Sequence, residues 1–186
     1  MRGSRRGSEA MKKEERIIQW FTLYHNDIYN FLIYYLGTKD VEDMVQEAFI
    51  KGFKCIDQFE QRSDPKTWLI SIARNVAIDY MRKTKRQYAL VDQLKSIFSE
   101  KSKLPHDWVL EDERKKELYK AINELKTSYR DVVILRGILD FTPEETSQIL
   151  KWKIDKVNLT YFRSVQSLKK KLTSEKWGDY IDAINR

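Results

Sequence analysis

Two compositional facts and one pattern predict an all-α chain built as two small helical domains. The 186 residues include only 6 Gly and 3 Pro, little material for the turns that sheets require. Apolar residues make up 41% of the chain, enough for real cores. They recur at three- and four-residue steps over several stretches, the period of a helix with one buried face. That periodicity fades over residues 87–109, where Pro105 breaks any helix, so this segment is expected to be a flexible linker. The expected domains are residues 11–86 and 110–175. Residues 1–10 read as an appended leader or disordered tail, and 176–186 as a C-terminal tail.

The first domain reads as three helices. Over residues 14–36, Ile17, Phe21, Tyr24, Ile28, Phe31, Leu32 and Tyr35 form a stripe, and Gly37 supplies a stop. Asp40 is expected to cap a second helix that runs to about residue 57, with Val41, Met44, Val45, Ala48, Phe49 and Phe53 on one side. The polar loop FEQRSDP follows. Its Asp64 and Pro65 suit the cap and first turn of a third helix, expected to run to Lys83. Leu69, Ile72, Ala73, Val76, Ala77 and Tyr80 would face inward.

In the second domain, Leu118, Ile122 and Leu125 mark one helix. Ser128 is expected to cap the next, which carries Val132, Val133, Leu135 and Ile138. Thr142, Pro143 and Glu145 then form the signature of a capping box opening a helix to about Leu150. Another helix begins near Ile154 or Asp155 and continues through Leu172. Two helices with a tight turn, the second longer and basic, describe a helix-turn-helix.

Charge points to partners. Lys and Arg number 35 against 28 Asp and Glu, a net charge of +7 with a pI near 9.3, which favours a polyanionic partner. Against this background, DVEDMVQEAFIKGF gathers Asp40, Glu42, Asp43 and Glu47. Carboxylates stabilise a helix start by about 0.3–1 kcal/mol each, which accounts for the first three. Glu47, two turns in, is better explained by a docking partner. After Arg62 the charge reverses: Arg62, Lys66, Arg74, Arg82, Lys83, Lys85 and Arg86 outnumber Asp64 and Asp79.

Other classes find no support. The lone Cys55 cannot form an internal disulfide, which fits a reducing compartment. No apolar run approaches the roughly 18 residues of a membrane span. The basic N-terminus lacks the apolar segment of a secretory signal. His25 and His106 fall in different domains without metal-spaced partners, and no Gly-rich phosphate loop occurs. Glu144 and Glu145 are explained by capping. No cofactor, metal or catalytic group is expected.

Two blocks carry a family resemblance. Asp43, Gln46, Glu47, Ala48 and Phe49, followed by Thr67, Trp68, Leu69, Ile72, Ala73, Arg74, Asn75, Ile78, Asp79 and Arg82, resemble region 2 of the sigma-70 family, in particular its extracytoplasmic-function class. The stretch AINELKTSYRDVVILRGILDFTPEETSQIL is similar to region 4 of the same family, in the matching order. The resemblance spans residues 20–172. It implies a cytoplasmic protein that binds bacterial core RNA polymerase, recognises promoter DNA and promotes transcription initiation, with no enzymatic activity and no small-molecule substrate. The class is often held inactive by an anti-sigma factor, commonly membrane-bound.

The resemblance also implies site residues. Asp40, Asp43, Gln46 and Glu47 would dock on the polymerase. Arg62, Lys66, Trp68, Arg74, Asn75, Arg82 and Lys83 would face the minus-ten element, the loop over residues 59–66 and Trp68 forming a pocket for a flipped base. Lys153, Lys156, Asn158, Leu159, Phe162 and Arg163 would meet the minus-thirty-five element in the major groove, Asn158 suiting adenine and Leu159 a thymine methyl. The sequence departs from the family pattern at Lys151, where a turn glycine is usual, and at Lys153, commonly Ser or Thr. Two other classes compete. A self-sufficient helix-turn-helix regulator leaves the acidic block unexplained, and an enzyme on a helical bundle lacks clustered nucleophile, base or metal ligands.

Overall fold

A computed structural model of the chain describes residues 3–60, 63–95 and 113–172. Its helices are α1 (Gly3–Leu36), α2 (Glu42–Cys55), a 3₁₀ turn (Ile56–Gln58), α3 (Pro65–Lys95), α4 (Glu113–Asn123), α5 (Thr127–Val132), a π-helical stretch (Val133–Ile138), α6 (Pro143–Leu150) and α7 (Ile154–Lys171). No strand occurs among the described residues. The all-α reading holds.

Local chemistry sets several of these boundaries as expected. Gly37 ends α1 in the left-handed region at φ 72°, where a Cβ would be strained. Asp64 Oδ1 accepts from the Lys66 N–H at 2.8 Å and opens α3 at Pro65. Thr142 and Glu145 form the reciprocal capping box of α6: the Glu145 N–H donates to Thr142 Oγ1 at 3.1 Å, and the Thr142 N–H donates to Glu145 Oε2 at 2.8 Å.

Other boundaries differ. Asp40 does not cap α2. The cap position is Val41, without a side-chain hydrogen bond, and the Asp40 N–H instead donates to Thr38 Oγ1 at 3.2 Å. Ser128 lies inside the first turn of α5, whose cap is Lys126. α3 continues to Lys95, well past the expected end at Lys83. Residues 84–95 contain neither Gly nor Pro, so the backbone ladder persists after the apolar stripe lapses. α1 likewise reaches back to Gly3, carrying Gly7 in its course but uninterrupted by proline. The part of the expected linker over residues 96–109 lies outside the described residues, as does the tail over 176–186.

Ile28, Phe31, Leu32 and Tyr35 of α1 are wholly buried against Val45 of α2 and Ile70, Ala73 and Ala77 of α3. Each such aliphatic or aromatic side chain contributes about 1.5–3 kcal/mol on burial. At Gly52 the helices crowd closely, since a Cβ there would come within 3.1 Å of Leu69. The second domain buries Ile122, Val132, Val133, Ile134, Leu135, Val157 and Leu168.

The two domains lie face to face. The buried apolar cluster runs through both. Tyr34 of α1 stacks on Tyr119 of α4 with ring centroids 5.6 Å apart and planes 5° from parallel. α6 lies along α3, and the Lys66 ammonium sits 5.4 Å above the Phe141 ring.

The turn between α6 and α7 carries a strained residue. Lys151 has φ 55° and ψ 43°, the left-handed position where this family pattern usually places glycine. Around it, the Trp152 N–H donates to the Ser147 carbonyl at 3.0 Å and Ser147 Oγ donates back to the Trp152 carbonyl at 2.5 Å. Replacing Lys151 with Gly is expected to raise unfolding free energy by about 1 kcal/mol, the typical left-handed penalty. Thr142→Ala is expected to lower it by about 1 kcal/mol through loss of the cap. Urea denaturation followed by circular dichroism measures both.

Candidate functional site

The helical period of α2 sorts its residues onto two faces. Met44, Val45, Ala48, Phe49 and Gly52 are buried. Glu42, Asp43, Gln46, Glu47, Ile50, Phe53 and Lys54 are exposed, and Asp40 is exposed just before the helix. All four predicted docking residues therefore face solvent together. Glu47 holds a surface pair with Lys51 at 2.8 Å, of a kind worth a few tenths of a kcal/mol and readily exchanged. Two apolar residues share this face: Ile50 is 53% exposed and Phe53 39%. Ile18 and Phe21 of neighbouring α1 are exposed as well, and Phe21 lies edge-on to Phe49 with centroids 4.9 Å apart. Carboxylates beside unburied aliphatic and aromatic groups have the composition of a protein-docking patch: apolar anchors with a charged rim.

The residues predicted for the minus-ten element do not form one surface. Asn75, Arg82 and Lys83 are exposed on α3, and a shallow groove runs past Asp79, Arg82, Lys83, Arg86 and Gln87. Arg82 lies 3.8 Å from Asp79, so it is loosely held. Trp68 is half-buried in an aromatic cluster, 5.8 Å from Trp20 and 5.4 Å from Phe59 between ring centroids. Lys66 is half-buried, 3.7 Å from Asp27. Arg74 points into the domain boundary. Its Nε donates to Asp131 Oδ1 at 2.9 Å and its Nη2 to Asp131 Oδ2 at 2.5 Å. Arg62 lies outside the described residues.

The third set is brought together. α7 buries Val157, Ser164, Val165 and Leu168, which turns Lys156, Leu159, Phe162 and Arg163 outward. Leu159 is 50% and Phe162 64% exposed. Lys156 rests 4.0 Å above the Trp152 ring, and Lys153 is the exposed cap residue of the helix. Asn158 is exposed, and its Oδ1 accepts from Arg136 Nη1 at 3.1 Å. Its amide NH₂ stays available, and its oxygen keeps a second lone pair. Helix α7 thus presents donors, cations and apolar groups on one side, the mixture that reads base edges in a major groove.

Similarity to known proteins bears on the family of the chain. The Sigma-70 region 2 family matches residues 20–87. The chain is 36% identical over 162 residues to the ECF RNA polymerase sigma factor SigX of Bacillus subtilis, covering 84% of each protein. It is 32% identical to the ECF RNA polymerase sigma factor SigM of the same organism, over 80% of this chain and 90% of that one. The chain belongs to the extracytoplasmic-function RNA polymerase sigma factors. Among solved structures, the sigma factor RpoE in complex with the anti-sigma factor NepR from Bartonella quintana is similar, with a TM-score of 0.64 and 27% identity over 87% of this chain and 99% of that one.

Reading the sequence of this sigma factor passes over three residues that the structure brings forward. Ile50 belongs to the apolar run after the acidic block, and only its exposure separates it from the core. Arg136 shows its link to Asn158 only once the π-helical stretch sets it beside α7. Asp131 gives no sequence signal at all, being one acid among the 28.

Trp68 packs on Trp20 and Phe59, so Trp68→Ala is expected to cost about 2 kcal/mol of stability, less than for a wholly buried Trp. Trp68→Phe should recover most of this. Any strand-opening defect of Trp68→Ala must therefore be read beside its thermal melt, and a defect shared by Trp68→Phe at normal stability would mark a role of the indole beyond packing and aromatic stacking.

Proposed function

We propose that the two domains divide the work of a sigma factor between three faces. The outward side of α2, with Asp40, Asp43, Gln46 and Glu47 rimming Ile50, docks on core RNA polymerase. The exposed basic side of α3, with Asn75, Arg82 and Lys83, meets the minus-ten element together with Lys66, Trp68, Arg74 and Arg62. The outward side of α7, with Lys153, Lys156, Asn158, Leu159, Phe162 and Arg163, enters the major groove at the minus-thirty-five element. The observation that carries this reading is the joint exposure of carboxylates and Ile50 on one side of α2, because a freestanding DNA-binding protein has no use for an acidic, apolar-anchored face.

The reading assigns binding and positioning to the chain and no covalent chemistry. It places the protein in the cytoplasm with its polymerase; no described helix is long and apolar enough to cross a membrane. By extension from the Bartonella complex, an anti-sigma factor is the regulatory partner it would take. Residues 11–86 and 110–175 are proposed as the working units, with residues 87–95 of the expected linker continuing α3.

Run-off transcription with purified core polymerase on random promoter fragments tests the reading, which requires promoter-dependent transcripts only when this chain is added. Reversing charge at Asp43 and Glu47 together is expected to weaken core retention in a pull-down with helix content unchanged. Ile50→Asp should do the same more strongly, since apolar anchors carry more affinity than rim charges. Arg163→Ala should lower promoter affinity and reduce the salt slope by about one ion, measured by filter binding at several salt concentrations.

A further inference from the structure

Asp131 is a carboxylate with no exposure, in a domain whose neighbours supply both of its partners. Its side chain is 0% exposed and that of Arg74 19%. Arg74 Nε and Nη2 grip its two oxygens at 2.9 and 2.5 Å, and the Tyr35 hydroxyl donates to Oδ1 at 2.7 Å. Tyr35 and Arg74 belong to α1 and α3, Asp131 to α5, so the site exists only while the two domains are together. Arg130 crosses the same boundary, with Nη1 3.2 Å from Met81 Sδ and its guanidinium 5.9 Å above the Tyr35 ring.

The chemistry of this contact suits a reversible lock. A fork-to-fork guanidinium–carboxylate pair is directional and strong in place. Its net contribution to stability is small, because both charges recover their hydration when it opens. Arg74 is charged throughout: burial alone would lower its pKa, but the hydrogen bond and charge of Asp131 raise it overall. The Arg fork matches phosphate as well as it matches carboxylate. One guanidinium cannot hold both in this geometry.

We propose that Asp131 is an internal competitor for Arg74: its carboxylate clasps the second domain against the first and withholds the guanidinium from nucleic-acid phosphate until the domains part. The phosphate half of this statement rests on the assignment of α3 to DNA; the clasp does not. In the closed arrangement the outer sides of α2 and α7 and the groove at Arg82 and Lys83 stay open. Closure therefore leaves docking possible while removing Arg74 from the DNA-facing set. Lys66, held between Asp27 and the Phe141 ring, is engaged in the same closed state.

The test compares two substitutions in the free full-length chain. Asp131→Asn keeps the shape and removes the charge; Arg74→Gln removes the other partner. Both are expected to enlarge the radius of gyration in small-angle X-ray scattering while far-ultraviolet circular dichroism is unchanged. Only Asp131→Asn should bind a fluorescent single-stranded oligonucleotide several-fold more tightly than the parent, because it alone opens the domains with Arg74 present. The double variant should lose that gain. Parent-like scattering from Asp131→Asn overturns the clasp, and so does loss of helicity, which would make Asp131 an internal support of the second domain. An equal gain in oligonucleotide affinity for both single variants overturns the competition by Arg74. Enlarged scattering from both variants with no gain for Asp131→Asn keeps the clasp and removes the phosphate role. None of these readouts uses polymerase, so failure of run-off transcription would be a separate result.

Discussion

A single buried carboxylate governs how this molecule is put together. Asp131 has no access to water, and an unpaired ionised carboxylate in that position would be prohibitive. Arg74 and the Tyr35 hydroxyl make it tolerable, and both come from the other domain. Burial first, then the charge and hydrogen bond of Asp131, push the Tyr35 phenol well above its ordinary value near 10, so it stays a donor across the physiological range. Because the folded value is raised, this contribution is complete below about pH 10 and declines as the pH climbs beyond it. Beside the apolar contacts between the domains, Tyr34 on Tyr119 among them, the Arg74–Asp131 pair is a directional polar contact from one domain to the other.

Helix α3 is where these demands meet. Its inner side supplies Leu69, Ile70, Ala73, Val76 and Ala77 to the core. Its outer side carries Asn75, Arg82 and Lys83 in solvent. Arg74 projects between the two and meets the second domain. A period of 3.6 residues separates adjacent positions by about 100°, so Arg74 and Asn75 reach different environments although they are neighbours in sequence. The same geometry on α2 separates the buried Phe49 from the exposed Ile50. On both helices the environment of a side chain follows its angular position.

The helix-turn-helix shows a family pattern held without its usual residue. Lys151 takes the left-handed backbone of the turn, and the Ser147–Trp152 hydrogen bonds clamp the chain around it. The capping box fixes where α6 starts, and burial of Thr146, Ile149 and Leu150 fixes how it lies. α7 then leaves the turn with its apolar stripe inward. The outward residues are set in place by that stripe, so the outer side of α7 can vary while the turn and the stripe hold their geometry.

Much of this was determined by the sequence on its own. The helical class, the stop at Gly37, the Asp64–Pro65 start, the capping box at Thr142 and the outward set on α7 follow from local rules: backbone freedom, hydrogen bonds between near neighbours, and apolar periodicity. The expected cap at Asp40 failed because one residue of register separates a cap from its predecessor, and periodicity does not resolve one residue. The end of α3 was placed too early because an apolar stripe reports burial, whereas a helix needs only an unbroken backbone ladder. The exposure of Ile50, the contact of Arg136 with Asn158 and the pairing of Arg74 with Asp131 were decided by tertiary structure alone. The two polar contacts join residues 22 and 57 positions apart, and no local pattern specifies which distant group a polar side chain will meet. That choice is made when two separately formed apolar faces close on each other and bring the buried Asp131 carboxylate against Arg74 and Tyr35.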